Sequence, residues 1–248
     1  MKKEICALVI LVLAATPLAP ARAADSPAAA ADPLAAVLKR EGYTVSLDLK
    51  VKKKKRDALH QFFELLDGEV TPNAYATGFV VGDGLVMTAY HAVSGGLDAA
   101  HRKRLGFSAD ERLEVSAFVN GCEATVVMVN EEADLALLRV CRAKSRATAL
   151  AFQDAPGRDD ELLVIARPNG IKAVRRGPFS GTYTYRGRQY WAAKIEGRDG
   201  FSGSPVYNGR GEIVGVFAGY DSTQKVALIS PGTSVQKLLA EYSSAPRR

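Results

Sequence analysis

A serine between two glycines, in Gly200-Phe201-Ser202-Gly203-Ser204-Pro205, is the stretch of this chain best suited to chemistry. Glycine has no Cβ and tolerates unusual dihedrals, so such a turn can hold one hydroxyl outward while backbone N–H groups converge beside it. That is the geometry of an activated nucleophile with an oxyanion hole. A serine attacks a carbonyl usefully when a histidine takes its proton and a carboxylate fixes the tautomer of that imidazole. Both types stand upstream. His91 lies in Thr88-Ala89-Tyr90-His91-Ala92-Val93, at the end of one apolar run, and Asp134 lies in Ala133-Asp134-Leu135-Ala136-Leu137-Leu138, at the start of another. His60 and His101 have no comparable motif and read as surface or packing residues.

With these three motifs in the order histidine, aspartate, serine, the chain resembles the trypsin-like (chymotrypsin-fold) serine proteases, and among them the HtrA/Deg-type bacterial protease domains. The likeness runs from about residue 76 to 230, taking in Thr77-Gly78-Phe79-Val80-Val81 before the histidine motif and residues 206–216 after the serine motif. The resemblance implies that His91 acts as general base and then general acid, that Asp134 orients it, and that Ser202 is the nucleophile. It also implies an oxyanion hole made by the N–H groups of Ser202 and Gly200, with Gly203 keeping the approach open. HtrA-type enzymes usually continue into a peptide-binding PDZ domain, and none follows here, so the expected likeness is to the protease domain without it.

Two positions depart from the family pattern. Ser204 stands where a second glycine is usual, and Tyr90 stands where a small residue usually precedes the histidine. Ser204 is a rival nucleophile by residue type, but Ser202 is the serine followed by glycine, a small residue and proline. In trypsin-like enzymes the residue six before the nucleophile floors the pocket for the side chain preceding the scissile bond. That position is Glu196, and Phe217-Ala218-Gly219 resembles the pocket wall. A carboxylate there would favour Lys or Arg in the substrate by charge pairing. The alternative is that Glu196 points to solvent.

The elements that must position these groups are short strands rich in valine and leucine, broken by Gly82-Asp83-Gly84, Asn120-Gly121 or charged turns. The sequence predicts one series at residues 76–81, 85–88, 113–119, 123–129 and 135–140. A second series is predicted at 162–166, 179–185, 190–196, 205–207, 213–217 and 226–229. Two such groups with almost no helix between them describe an all-β chain with a pair of antiparallel barrels, and the resemblance implies that these are the six-stranded barrels of the chymotrypsin-like fold. The first is expected at about 75–142, the second at about 160–231, with 143–160 as the linker. Residues 233–242 read as a C-terminal helix with Val235, Leu238 and Leu239 on one face. Ahead of the first barrel, residues 43–51 alternate as a half-buried strand, five cations follow at 52–56, and 57–66 carry apolar residues at helical spacing. The protease domain as a whole is expected at 43–248.

Met1-Lys2-Lys3, the apolar residues 5–15 and the small-x-small Ala21-Arg22-Ala23 read as a secretory signal peptide over 1–23, with an alanine-rich leader at 24–42. Thr16, Pro17, Pro20 and Arg22 interrupt the run too early for a membrane span, so no stable membrane anchor is expected after cleavage. The protein is then periplasmic or secreted. Cleavage removes Lys2, Lys3, Arg22 and Glu4, a net +2, so the charge falls from +6 to +4. So modest an excess is no argument for nucleic acid. Nothing suggests a metal cluster or a phosphate loop, so neither metal nor cofactor is expected. Of the three cysteines, Cys6 leaves with the signal, and an oxidising compartment permits Cys122 and Cys141 to pair. A turn near Glu131-Glu132 would fold the chain into a hairpin that sets them side by side.

These readings converge on an exported serine endopeptidase acting on polypeptides. A protease-fold protein that captures peptides with little hydrolysis is the alternative. An esterase of the α/β-hydrolase kind needs the order serine, aspartate, histidine, which this chain lacks.

Overall fold

The computed structural model describes residues 43–53, 73–97, 99–141, 150–153 and 155–246, together with residue 35. The signal segment, the leader apart from residue 35, the cations beyond Lys53, the helical pattern at 57–66 with His60, and all of 142–149 lie outside the described residues. The described elements all fall in the unit Ala31–Arg248.

Six strands close an antiparallel barrel in the order β1-β2-β3-β6-β5-β4. They are β1 (Thr44–Lys53), β2 (Asn73–Gly82), β3 (Leu85–Ala89), β4 (Leu113–Val119), β5 (Cys122–Asn130) and β6 (Leu135–Val140). A second barrel closes in the order β10-β11-β12-β9-β8-β7. Its strands are β7 (Glu161–Ala166), β8 (Ala173–Tyr185), β9 (Arg188–Ala193), β10 (Pro205–Tyr207), β11 (Ile213–Asp221) and β12 (Val226–Pro231). The chain is therefore all-β with the chymotrypsin-like architecture expected. Between β3 and β4 lie two short helices, α1 (Tyr90–Val93) and α2 (Ala99–Arg104), and α3 (Gly232–Ser244) ends the described chain. α2 gives one and a half helical turns to part of the gap that the strand pattern leaves between 85–88 and 113–119.

The first barrel begins earlier than the sequence suggests. β1 pairs with β2 from Thr44↔Phe79 to Lys50↔Asn73 and with β4 from Asp48↔Phe118 to Lys53↔Leu113, so it supplies the sixth strand. Its alternation is legible locally, but its partner β4 lies some 60 residues on, and nothing short-range announces that pairing. At β4 and β5, Asn120 and Gly121 both take positive φ, 50° and 75°, as a two-residue hairpin turn requires. Cys122 and Cys141 meet at the open end of the β5–β6 hairpin and form a disulfide, with Cα atoms 6.1 Å apart.

Side chains alternate across a strand, so a strand buried on both faces reads as a continuous apolar run. β6 shows why Leu135-Ala136-Leu137-Leu138 has no polar partner in its pattern. Ala136 and Leu138 fill the first barrel with Leu47, Val80 and Val86. Leu135 and Leu137 point the other way, into a layer shared with Leu163, Ile165, Tyr207 and Val216 of the second barrel. The second barrel has its own interior, built on Leu162, Val164, Val206 and Val214. α3 packs Val235 and Leu238 into the shared layer, and Tyr242 at its end stacks on Arg139 of β6. The helix thus touches both barrels.

Leu238 is fully buried. Leu238→Ala should lower the unfolding free energy by about 2–5 kcal/mol through lost burial and a cavity. Lys237→Ala, on the exposed side of the helix, should shift it by no more than about 0.5 kcal/mol. Urea titration of the two variants checks both values.

Candidate active site

His91 and Asp134 come from the first barrel, Ser202 from the second. α1 starts directly after β3, and its first N–H, from Tyr90, donates to the Asp134 C=O at 3.0 Å. Asp134 ends the β5–β6 turn with φ 53°, a left-handed backbone that aspartate tolerates better than most residues. Its buried carboxylate is used at both oxygens. Oδ1 accepts the backbone N–H of His91 at 2.9 Å, and Oδ2 lies 2.7 Å from His91 Nδ1. A carboxylate facing Nδ1 keeps the proton on that nitrogen and leaves the Nε2 lone pair free. Nε2 stands 2.9 Å from Ser202 Oγ.

Phe201 anchors the nucleophile turn. It is buried, with its ring edge-on to Phe217 at 5.8 Å. Gly200 and Gly203 take φ of +85° and +86°, which side chains resist, and neither has room for one. A Cβ on Gly200 would stand 2.6 Å from Pro168, and one on Gly203 would stand 2.1 Å from the Thr77 C=O. Around the turn, Phe201 N–H donates to Arg198, Gly203 N–H to Phe217 and Ser204 N–H to Phe201. Among the described residues the N–H groups of Gly200 and Ser202 have no backbone acceptor. Those are the two donors expected for an oxyanion hole. Ser204 is 0% exposed and its Oγ has no hydrogen-bond partner among the described residues, whereas Ser202 is partly open to solvent. Burial places Ser204 out of a substrate's reach.

Several neighbours make contacts with the site that their sequence positions do not announce. Tyr90 donates its hydroxyl to Glu131 at 3.0 Å, tying α1 to the turn that ends in Asp134. That hydrogen bond raises the Tyr90 phenol above its usual range. Arg104 of α2 bonds the Asp199 carboxylate, one residue before Gly200. Thr77, from the stretch ahead of the histidine motif, bonds the nucleophile turn itself.

The residues expected at the specificity pocket lie in different surroundings. β9 ends at Ala193, and the Ile195 N–H turns back onto the Ala193 C=O at 2.8 Å. The chain therefore leaves the sheet before Glu196, whose side chain is 60% exposed and 3.6 Å from Arg198. Glu196 thus lies in the segment between β9 and the serine turn, open to solvent beside Arg198. Phe217 is a core residue packed behind Phe201. Ala218 lies in a small apolar cluster with Tyr190 and Leu228, against which Tyr183 and Tyr185 lean. Burial, with the Asp134 charge adding to it, raises the Tyr190 phenol above its usual range. Gly219 follows, half-buried.

The family model for the trypsin-like peptidase domain matches residues 76–216. A comparison with curated proteins finds no match. Among solved structures the chain is similar to the Rv3671c protease of M. tuberculosis in its active form, with 19% identity, a TM-score of 0.60 and 97% of each chain covered. It is also similar to an inactive form of that protease, with 20% identity, a TM-score of 0.52 and 88% of this chain and 97% of the other covered. For an inactive serine-to-alanine mutant the identity is 18%, the TM-score 0.54, and the coverage 91% and 98%. At these identities the likeness is one of fold.

An exposed carboxylate paired with a neighbouring arginine contributes little to a substrate. Glu196→Gln should change kcat/KM for peptides cut after Lys or Arg by less than about twofold. A carboxylate that floored the pocket would instead cost about 30-fold or more. Steady-state kinetics on a peptide library digest separates the two.

Proposed function

The chain belongs to the trypsin-like peptidase domain family, and from that premise we propose that it is an exported serine endopeptidase, cutting polypeptides through an acyl-enzyme on Ser202. The observation that carries this reading is the unbroken line from Asp134 Oδ2 through His91 to Ser202 Oγ, at 2.7 and 2.9 Å. A cleft that only holds peptides has no use for a carboxylate-oriented imidazole within hydrogen-bonding distance of a serine hydroxyl.

In the first half-reaction His91 Nε2 takes the Ser202 proton as Oγ attacks the scissile carbonyl carbon. The carbonyl oxygen becomes an oxyanion and meets the N–H groups of Gly200 and Ser202. Asp134 steadies the imidazolium that forms. His91 then gives its proton to the leaving amine nitrogen, the C–N bond breaks, and an ester remains on Ser202. In the second half a water loses its proton to the same Nε2, attacks the ester, and releases the new carboxylic acid with Ser202 restored.

Export is supported by the charged, apolar and small-residue segments of 1–23 and by the Cys122–Cys141 disulfide, since such bonds persist in oxidising compartments. The leader at 24–42 would then precede a protease domain at 43–248 in the periplasm or outside the cell. No helix among the described residues is long and apolar enough to cross a membrane.

Ser202→Ala should abolish casein cleavage, with turnover down by about 10⁴-fold or more, and leave the circular dichroism spectrum unchanged. His91→Ala should be nearly as severe, and Asp134→Asn should lose on the order of 10⁴-fold through the wrong imidazole tautomer. Ser204→Ala removes a buried hydroxyl that bonds nothing, so activity should stay near wild type. A folded Ser202→Ala that still cuts casein would contradict the assignment.

A further inference from the structure

Thr77 lies on β2 in the first barrel, is 0% exposed, and directs its polar atoms at the second barrel's nucleophile turn and the strands behind it. Its N–H donates to the Ser202 C=O at 2.9 Å. Its Oγ1 hydroxyl donates to the Gly200 C=O at 2.7 Å, and the same oxygen accepts the Arg167 N–H at 2.9 Å. Its own C=O accepts the Thr88 hydroxyl at 2.8 Å, which braces β2 from β3. The turn sits hard against this residue, since a Cβ on Gly203 would collide with the Thr77 C=O at 2.1 Å and with Thr88 Oγ1 at 2.2 Å.

We propose that Thr77 is the positioning residue for the oxyanion hole, an inference that rests on the proteolytic reading above. Phe201 packs the turn against the core, but apolar packing does not select how a peptide plane is rotated. Hydrogen bonds do. The carbonyls of Gly200 and Ser202 flank Phe201, and both are held by Thr77. The Gly200–Phe201 and Ser202–Gly203 peptide planes are thereby fixed from the opposite barrel, and the Phe201–Ser202 plane between them, which carries the Ser202 N–H, is confined at both ends. The N–H groups of Gly200 and Ser202 then stand ready where charge develops, with no reorganisation at the moment of reaction. The hydroxyl is essential to this arrangement, because it both donates to Gly200 and accepts from Arg167, and an aliphatic side chain does neither. Threonine at this position therefore acts on catalysis without touching substrate.

The test uses the full chain and a fluorophosphonate, whose phosphoryl oxygen takes the place of the carbonyl oxygen in the hole. Labelling stoichiometry counts folded sites, and labelling rate per site reads how well the hole is formed. Thr77→Val should label to the same stoichiometry but about 10- to 100-fold more slowly, the range expected when reacting groups are displaced by about an ångström. For a peptide substrate kcat should fall by the same factor with KM nearly constant. Thr77→Ser keeps the hydroxyl and should restore the rate to within about threefold. If Thr77→Val does not fold, Thr77→Ala removes the hydroxyl without forcing a methyl between Gly200 and Arg167, and the same slowing is expected. A hydroxyl-less variant that labels at the wild-type rate, or a Thr77→Ser variant as slow as Thr77→Val, overturns the proposal. A loss of stoichiometry at unchanged rate per site also overturns it, because it shows a purely structural role. A wild-type protein that takes no label overturns the proteolytic reading itself, which separates that failure from the others.

Discussion

The 2.9 Å hydrogen bond between His91 Nε2 and Ser202 Oγ joins two barrels, and it exists only while they are held in register. The apolar layer between them supplies that constraint. β6 and β7 each give alternate side chains to it, Leu135 and Leu137 from one barrel and Leu163 and Ile165 from the other, while α3 adds Val235 and Leu238. Interiors are close-packed and deform little, so a layer of this kind sets distances across it to a fraction of an ångström. Hydrophobic burial is non-directional, however, and fixes position more readily than orientation. Orientation comes from a few buried hydrogen bonds laid over the layer, chiefly those of Asp134 to His91 and of Thr77 to the serine turn.

Backbone conformations that most residues avoid recur at the site. Asp134, Gly200 and Gly203 all take positive φ within one small region. A non-glycine residue in such a conformation costs on the order of 1 kcal/mol or more and persists where its surroundings over-determine it. For Asp134 the surroundings are the Tyr90 and His91 N–H groups, which bond its carbonyl and carboxylate respectively. The strained turn and the oriented imidazole are therefore one arrangement. Glycine avoids the strain altogether, and a larger residue at either position would meet both the positive φ and the close approach of Pro168 or Thr77.

Much of this was legible in the sequence, because the catalytic types sit in short motifs and the strands carry their own period. Leu135-Ala136-Leu137-Leu138 declares a strand buried on both faces, and the spacing of Cys122 and Cys141 about a turn anticipates their disulfide. What the sequence hid depends on distant partners or on the path of one bend. β1 closes the first barrel through β4, a pairing no local pattern records. Glu196 was placed by counting back from Ser202, and the path that takes it out of β9 after Ala193 to a site beside Arg198 is written in no local pattern. Ser204 and Ser202 are alike as residue types; the motif already favours Ser202, and what the sequence does not show is the burial that takes Ser204 out of reach. Thr77 reaches Gly200 across 123 residues, so its hydroxyl is an ordinary strand threonine until the two barrels are placed together.

The central claim is that Ser202, activated by His91, is the group that attacks. The most direct measurement is to treat the folded protein with a fluorophosphonate and locate the adduct by tandem mass spectrometry of its peptides. The adduct should lie on Ser202, with Ser204 unmodified, and should disappear in His91→Ala while that variant remains folded. An adduct on another residue, or undiminished labelling of Ser202 without His91, would contradict it.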